Sequence, residues 1–150
     1  MSINKIVLAV GAHADDCEFS SGGTLAKFSK MGYKVFICNV LSGDKASAVG
    51  KLSNEEVSKI REKEARESAS VIGAELIFGL GFNDGELNYI SKEVNDRMID
   101  VIRYANPDII FTHNEIDYLH DHTITSQLVF NATHFCSLGR YRTKNKAIDK

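Results

Sequence analysis

Apolar and polar residues fall along this chain in blocks that read strand, helix, strand, helix. Lys5–Val10 is rich in Ile and Val, the pattern of a buried strand. Leu25–Met31 lies in a short predicted helix that stops at Gly32. Tyr33–Val40 is a second strand of aromatic and β-branched residues. Ser42–Gly50 is polar and glycine-punctuated, hence a loop. Asn54 to about Ile72 reads as a long charged helix, with Ser53 or Asn54 as its N-cap. Val57, Ile60, Val71 and Ile72 define one arc of that helix, and Arg61, Glu64 and Ser68 fall inside the same arc. Ala74–Phe78 is a short strand, followed by a glycine-rich loop over Gly79–Gly85. Lys92–Tyr104 is an amphipathic helix ended by Asn106 and Pro107. Asp108–Thr112 is a further strand, and Asp121 to about Phe135 a last helix. The tail from Gly139 is basic and polar and is expected to fray.

Strands alternating with helices imply a parallel sheet covered on both faces. The predicted fold is α/β: a Rossmann-like, doubly wound, mostly parallel sheet with helices on both faces. A flavodoxin-like strand order is the alternative. In the order 3-2-1-4-5-6, strands 1 and 4 are neighbours at the switch point, where α/β sheets bind their ligands.

The 150 residues fit a single domain over 1–150. A net charge of −2 gives no reason to expect nucleic acid or a membrane surface as partner. The first apolar run is too short for a signal-peptide core or a membrane span. Three scattered cysteines, Cys17, Cys38 and Cys136, read as thiols of a cytoplasmic protein, not as a disulfide framework. A homo-oligomer is left open.

Chemistry concentrates after two of the strands. After the first, a dinucleotide-binding fold would carry GxGxxG. This chain has Gly11-Ala12-His13-Ala14-Asp15-Asp16 instead, where two carboxylates would repel a pyrophosphate and suit a cation. His13 and Asp16, three apart, share a side of any helical turn and could hold a metal together. Asp15 then stands beside the ion, able to take a proton from a water held there. Glu18 is expected to support or cap neighbouring groups. One Asp alone would read as a helix cap; a His with three acids argues for function.

After the fourth strand comes Thr112-His113-Asn114-Glu115-Ile116-Asp117-Tyr118-Leu119-His120-Asp121-His122, which holds three of the five histidines. A neutral His at a helix start is a natural ligand, and an adjacent carboxylate can fix its tautomer. The bland alternative is a polar surface loop with Asp121 as N-cap. The topology brings both clusters to one crevice. Two His and one Asp leave positions open, as catalytic zinc requires. Fe(II) fits the same set, but Asp15 argues for water activation over oxygen chemistry. Arg61 either pairs with Glu64 or reaches the crevice to bind a substrate hydroxyl. Asp84 either binds substrate hydroxyls or shapes the turn before Gly85.

These residues resemble the LmbE-like, or PIG-L, de-N-acetylases. The family's AHPDDxE motif and following Gly-Gly pair appear as Ala12-His13-Ala14-Asp15-Asp16-Cys17-Glu18 and Gly22-Gly23. Its Asp-x-His-x-Asp-His motif appears as Asp117-Tyr118-Leu119-His120-Asp121-His122. An Arg-x-x-Glu helix and an Asp-Gly loop match Arg61, Glu64 and Asp84-Gly85. The resemblance implies zinc on His13, Asp16 and His122, with Asp15 as general base and Asp121 supporting the ligands. It implies a small-molecule substrate, an N-acetylated sugar such as an N-acetylglucosamine derivative or a related amide. Two positions depart. Ala14 replaces proline, and Leu119 replaces a His that assists the oxyanion and the leaving group. His120 or His113 could substitute, or Asp15 once protonated. Family members continue well past this length, so a C-terminal portion carrying substrate-binding residues is expected to be missing. The rival expectation is a non-catalytic metal- or ligand-binding module of the same fold.

Overall fold

The computed structural model describes residues 4–46 and 51–149. Four strands and four helices alternate: β1 Ile6–Gly11, α1 Asp16–Lys30, β2 Lys34–Leu41, α2 Asn54–Ile72, β3 Glu75–Phe82, α3 Lys92–Ala105, β4 Ile109–Phe111 and α4 His120–Phe135. The strands form one parallel sheet in the order β3-β2-β1-β4, so β1 and β4 are neighbours, as expected of the switch point. The rest of the Ser42–Gly50 loop is irregular from Ser42 to Ala46, and residues 47–50 lie outside the described ones.

Strand periodicity builds two cores. Leu8, Val10, Phe36, Cys38 and Val40 face one side and pack with Met98, Ile102, Ile124 and Leu128 of α3 and α4. Val7, Ala9, Val35 and Ile37 face the other and pack with Leu25 and Ala69 of α1 and α2. Burial on both faces explains why β1 and β2 read as continuous apolar runs. No helix among the described residues is long and apolar enough to cross a membrane.

Local differences from the sequence reading have physical causes. Helix α1 is longer than the short helix expected around Leu25–Met31: it runs from Asp16 to Lys30, through Gly22 and Gly23 despite their low helix propensity. At Gly22 an added Cβ would reach 3.9 Å from Ile72 Cδ1, so packing on α2 supports the helix there. Strand β3 continues through the glycines to Phe82, with positive φ at Gly79 and Gly81 and a register shift opposite Asn39 and Leu41. At Gly81 the φ of 86° favours glycine, since a side chain there would strain the backbone. In α2 the buried residues are Val57, Ala65 and Ala69; Val71 is exposed, which corrects the predicted arc. Ser53 is the cap, in a capping box with Glu56.

The tail does not fray. Buried Arg103 donates to the carbonyls of Phe135, Cys136, Leu138, Tyr141 and Asn145 and to the Thr143 hydroxyl. Asp100 accepts from Thr143 and from the amides of Lys144 and Asn145. A polar tail is held here by hydrogen bonds, which hydropathy does not reveal.

Candidate metal centre

Strand β1 ends at Gly11, where a Cβ would lie 2.8 Å from Asp16 Cβ. The glycine lets the first residue of α1 close onto the strand end. Asp16 then accepts the His13 amide at 2.7 Å through Oδ2. Between them Asp15 has φ 139°, a strained backbone for a residue with a side chain. From the other side of the crevice, the β4–α4 segment brings in His113, Asp117, Asp121 and His122.

His13, Asp16 and His122 converge: one ligand atom from each lies within 4.8 Å of the others. His13 Nδ1 is 3.5 Å from Asp16 Oδ2, and His122 Nε2 is 3.3 Å from Asp16 Oδ1. The opposite nitrogens are held by carboxylates. His13 Nε2 lies 3.2 Å from Asp121 Oδ2, and His122 Nδ1 lies 3.2 Å from Asp117 Oδ2. A carboxylate accepts a proton-bearing nitrogen, so each ring, once neutral, has its lone pair on the nitrogen that faces Asp16. His122 Nε2 is buried and makes no hydrogen bond among the described residues, although a carboxylate oxygen faces it. Two electron-rich atoms so placed fit a shared cation. Ligand bonds of about 2.1 Å at a tetrahedral angle put neighbouring donors roughly 3.4 Å apart, close to both separations here.

A second set, His113, Asp117 and His122, is equally close in space but fits an ion poorly. The His113 and His122 rings stack at 3.9 Å and 14°, so their in-plane lone pairs run side by side and do not meet. The His13 and His122 rings are tilted by 51° with centroids 5.5 Å apart, which permits convergence. His113 Nε2 also accepts the Ala12 amide at 2.9 Å. Its ring braces the β1 end and packs on His122.

Charge is concentrated here. Burial works against ionised Asp16, but His113, His13 and His122 around it hold its carboxyl well below the usual range. Burial likewise works to lower His13; the hydrogen bond and charge of Asp16, the charge of Asp84 and the Asp121 hydrogen bond outweigh it and push the imidazole up to about 9. An anionic pocket that draws a proton this strongly onto His13 is one that attracts a cation.

The remaining predicted residues surround this centre. Asp15 is 71% exposed and pairs with Arg61 at 3.2 Å. Arg61 also donates to the Ala14 carbonyl and pairs with Glu64, so both alternatives for it meet at one place: it pairs locally and reaches the crevice edge. Glu18 lines a cavity of about 120 Å³ with Asp15, Arg61 and Glu64; its carboxylate oxygens are buried without a hydrogen bond among the described residues. Asp84 accepts the Gly43 and Lys45 amides through separate oxygens. His120 is exposed at the start of α4, with no hydrogen bond to a described residue, and Leu119 precedes it as the cap residue. Sequence offers His113 only as a stand-in at Leu119 and gives Asp117 no role; the bracing by His113 and the Asp117–His122 contact come from the structure. The Asp-x-x-x-x-His spacing of Asp117 and His122 was the available signal.

The parallel sheet and the switch-point crevice, where carboxylate-backed histidines face Asp16, make this an α/β domain with a candidate metal centre. Residues 8–133 match PIG-L, the GlcNAc-PI de-N-acetylase family, and the chain belongs to that family. It is 34% identical over 106 residues to the diacetylchitobiose deacetylase of Thermococcus kodakarensis, covering 71% of this chain and 39% of that one. The structure of N,N'-diacetylchitobiose deacetylase from Pyrococcus horikoshii is similar with a TM-score of 0.85 and 32% identity, over 93% of this chain and 53% of that one. The 4-carboxy-2-hydroxymuconate hydratase of Pseudomonas putida is similar with a TM-score of 0.84 and 25% identity, over 97% and 62%. The chain thus spans less than two thirds of the length of each of these relatives.

Proposed function

We propose that this chain is a zinc-dependent hydrolase that removes an acetyl group from an N-acetylated sugar or related amide. The observation that carries the reading is the pair of imidazoles, each backed by a carboxylate, that turn their free nitrogens onto Asp16. His13, Asp16 and His122 would hold the ion. A divalent zinc there supplies Lewis-acid chemistry for water activation and oxyanion stabilisation. Fe(II) is the other ion this donor set accepts.

Asp15, adjacent in sequence to Asp16, is the general base that takes the proton of the attacking water. Arg61 pairs with that carboxylate and holds the strained Asp15 backbone through the Ala14 carbonyl. Arg61 and Asp84 are the polar groups we assign to substrate hydroxyls; each Asp84 oxygen keeps a lone pair after its amide bond. Leaving-group protonation falls to His120, whose exposed side chain is free to turn toward a bound substrate, or to Asp15 once protonated. The buried free thiols agree with a cytoplasmic setting.

The test is acetate release by the purified chain from N-acetylglucosamine and diacetylchitobiose, after chelation and after adding back zinc or iron. Release restored by zinc supports the reading. Stoichiometric metal without release from either substrate would favour the non-catalytic module. The hydratase relative motivates a second reading, in which the same centre activates water for addition to a carbon–carbon double bond. Loss of absorbance from an unsaturated tricarboxylate, without acetate release from amides, would favour it.

A further inference from the structure

We infer that Asp44, in the loop after β2, is a positioning residue of the metal centre that acts through the Asp84–Gly85 turn and Asp121 on His13. The inference rests on the metal-site reading above and adds a member that binds neither ion nor substrate.

Asp44 is only 5% exposed. Its Oδ1 accepts the Asp84 amide at 2.8 Å and the Ser42 hydroxyl at 3.2 Å, and its Oδ2 accepts Asn54 Nδ2 at 3.0 Å. Asp84 answers in kind: its carboxylate accepts the Gly43 amide at 3.0 Å and the Lys45 amide at 3.2 Å. Two loops, one after β2 and one after β3, are therefore clasped reciprocally. Each carboxylate takes backbone amides from the other loop. Fixing both the amide and the carboxylate of Asp84 fixes its backbone, and with it the direction of the next N–H, that of Gly85.

That N–H donates to Asp121 Oδ2 at 2.9 Å, and the same oxygen takes His13 Nε2 at 3.2 Å. Asp121 is buried, and its Oδ1 makes no hydrogen bond among the described residues. The Gly85 amide is thus the anchor that orients the carboxylate behind His13. If the clasp loosens, that anchor moves, and His13 loses the partner that sets its tautomer and ring plane. An aspartate that merely stabilised its own loop would have no connection to this path.

Cobalt(II) titration, read by visible absorption and by competition with a chelator, tests the assignment on wild type, Asp44→Ala and Asp44→Asn. Thermal melts establish that each variant is folded at the titration temperature. We expect Asp44→Ala to weaken cobalt binding by about 10-fold and to alter the ligand-field bands, the scale of outer ligand support. Asp44→Asn keeps an oxygen for the Asp84 amide and should stay within about 3-fold of wild type. A folded Asp44→Ala with wild-type affinity and spectrum overturns the inference. Should that variant not fold, Ser42→Ala combined with Asn54→Ala removes two of the anchors of Asp44, and unchanged binding there overturns it equally. A wild type that takes up no cobalt would instead sink the metal reading, and this inference with it.

Discussion

Asp117 Oδ2 sits 3.2 Å from His122 Nδ1, across the ring from the nitrogen that faces Asp16. Asp117 is itself held by the Leu119 amide, which donates to Oδ1 at 2.9 Å; this bond and the neighbouring His122 keep its carboxyl below the ordinary range. Asp117→Ala should therefore weaken zinc binding about 10- to 100-fold without unfolding the chain. Competition with a chromogenic chelator measures it. An unchanged affinity would mean that Asp117 serves only the loop.

Asp15 lies outside the ligand set and pairs with Arg61. Asp15→Asn should lower turnover by about 100-fold or more while zinc content stays near one per chain. Acetate release and elemental analysis on the same sample separate the two quantities. Wild-type turnover in this variant would remove Asp15 from the chemistry.

His120 carries no structural bond that its loss would break. If it protonates the leaving amine, His120→Ala should slow turnover about 100-fold with stability and zinc content unchanged. A neutral outcome assigns that proton to Asp15.

The pH dependence of the chelated protein follows from two shifts of opposite sign. His13 is raised from 6.5 to about 9, so its contribution to stability is complete below about pH 6.5 and is lost as pH rises through about 9. Asp16 is lowered, so its contribution is present above its ordinary value of 3.8 and is lost only as pH falls below that. Thermal melts should show the midpoint falling between pH 7 and 9.5, with the fall largely abolished in His13→Asn. Zinc added near neutral pH should release a proton, measurable in weakly buffered solution.

Arg103 clasps the chain after α4 through the carbonyls of Phe135, Cys136, Leu138, Tyr141 and Asn145. Arg103→Ala should destabilise the fold by about 3 kcal/mol, since several hydrogen bonds to a charged group are lost together and the Tyr141 carbonyl loses its donor. Urea denaturation checks it. A loss below about 0.5 kcal/mol, the range of ordinary surface substitutions, would show that the tail is not held there.

Local pattern carried much of the architecture. The apolar runs of β1 and β2, the amphipathic α3 and the capping box at Ser53 are short-range signals, and strand–helix alternation leads from them to a parallel sheet. The two polar clusters were legible because the residue types that bind cations are crowded into single loops after strands. What failed was also physical. Gly22 and Gly23 hid the first half of α1, because helix packing outweighs their propensity. The tail from Gly139 reads as loose, because hydrophobicity is blind to a guanidinium that gathers carbonyls.

Sequence by itself determined which side chains could hold a cation and which strand ends would carry them, because alternation and loop position are local properties. Only the tertiary structure decided which nitrogen of each histidine faces Asp16, that His113 stacks on His122 with its Nε2 taken by the Ala12 amide, and that Asp44 and Asp84 tie two loops behind Asp121. Those depend on ring orientation and on hydrogen bonds between segments tens of residues apart, which no spacing along the chain encodes.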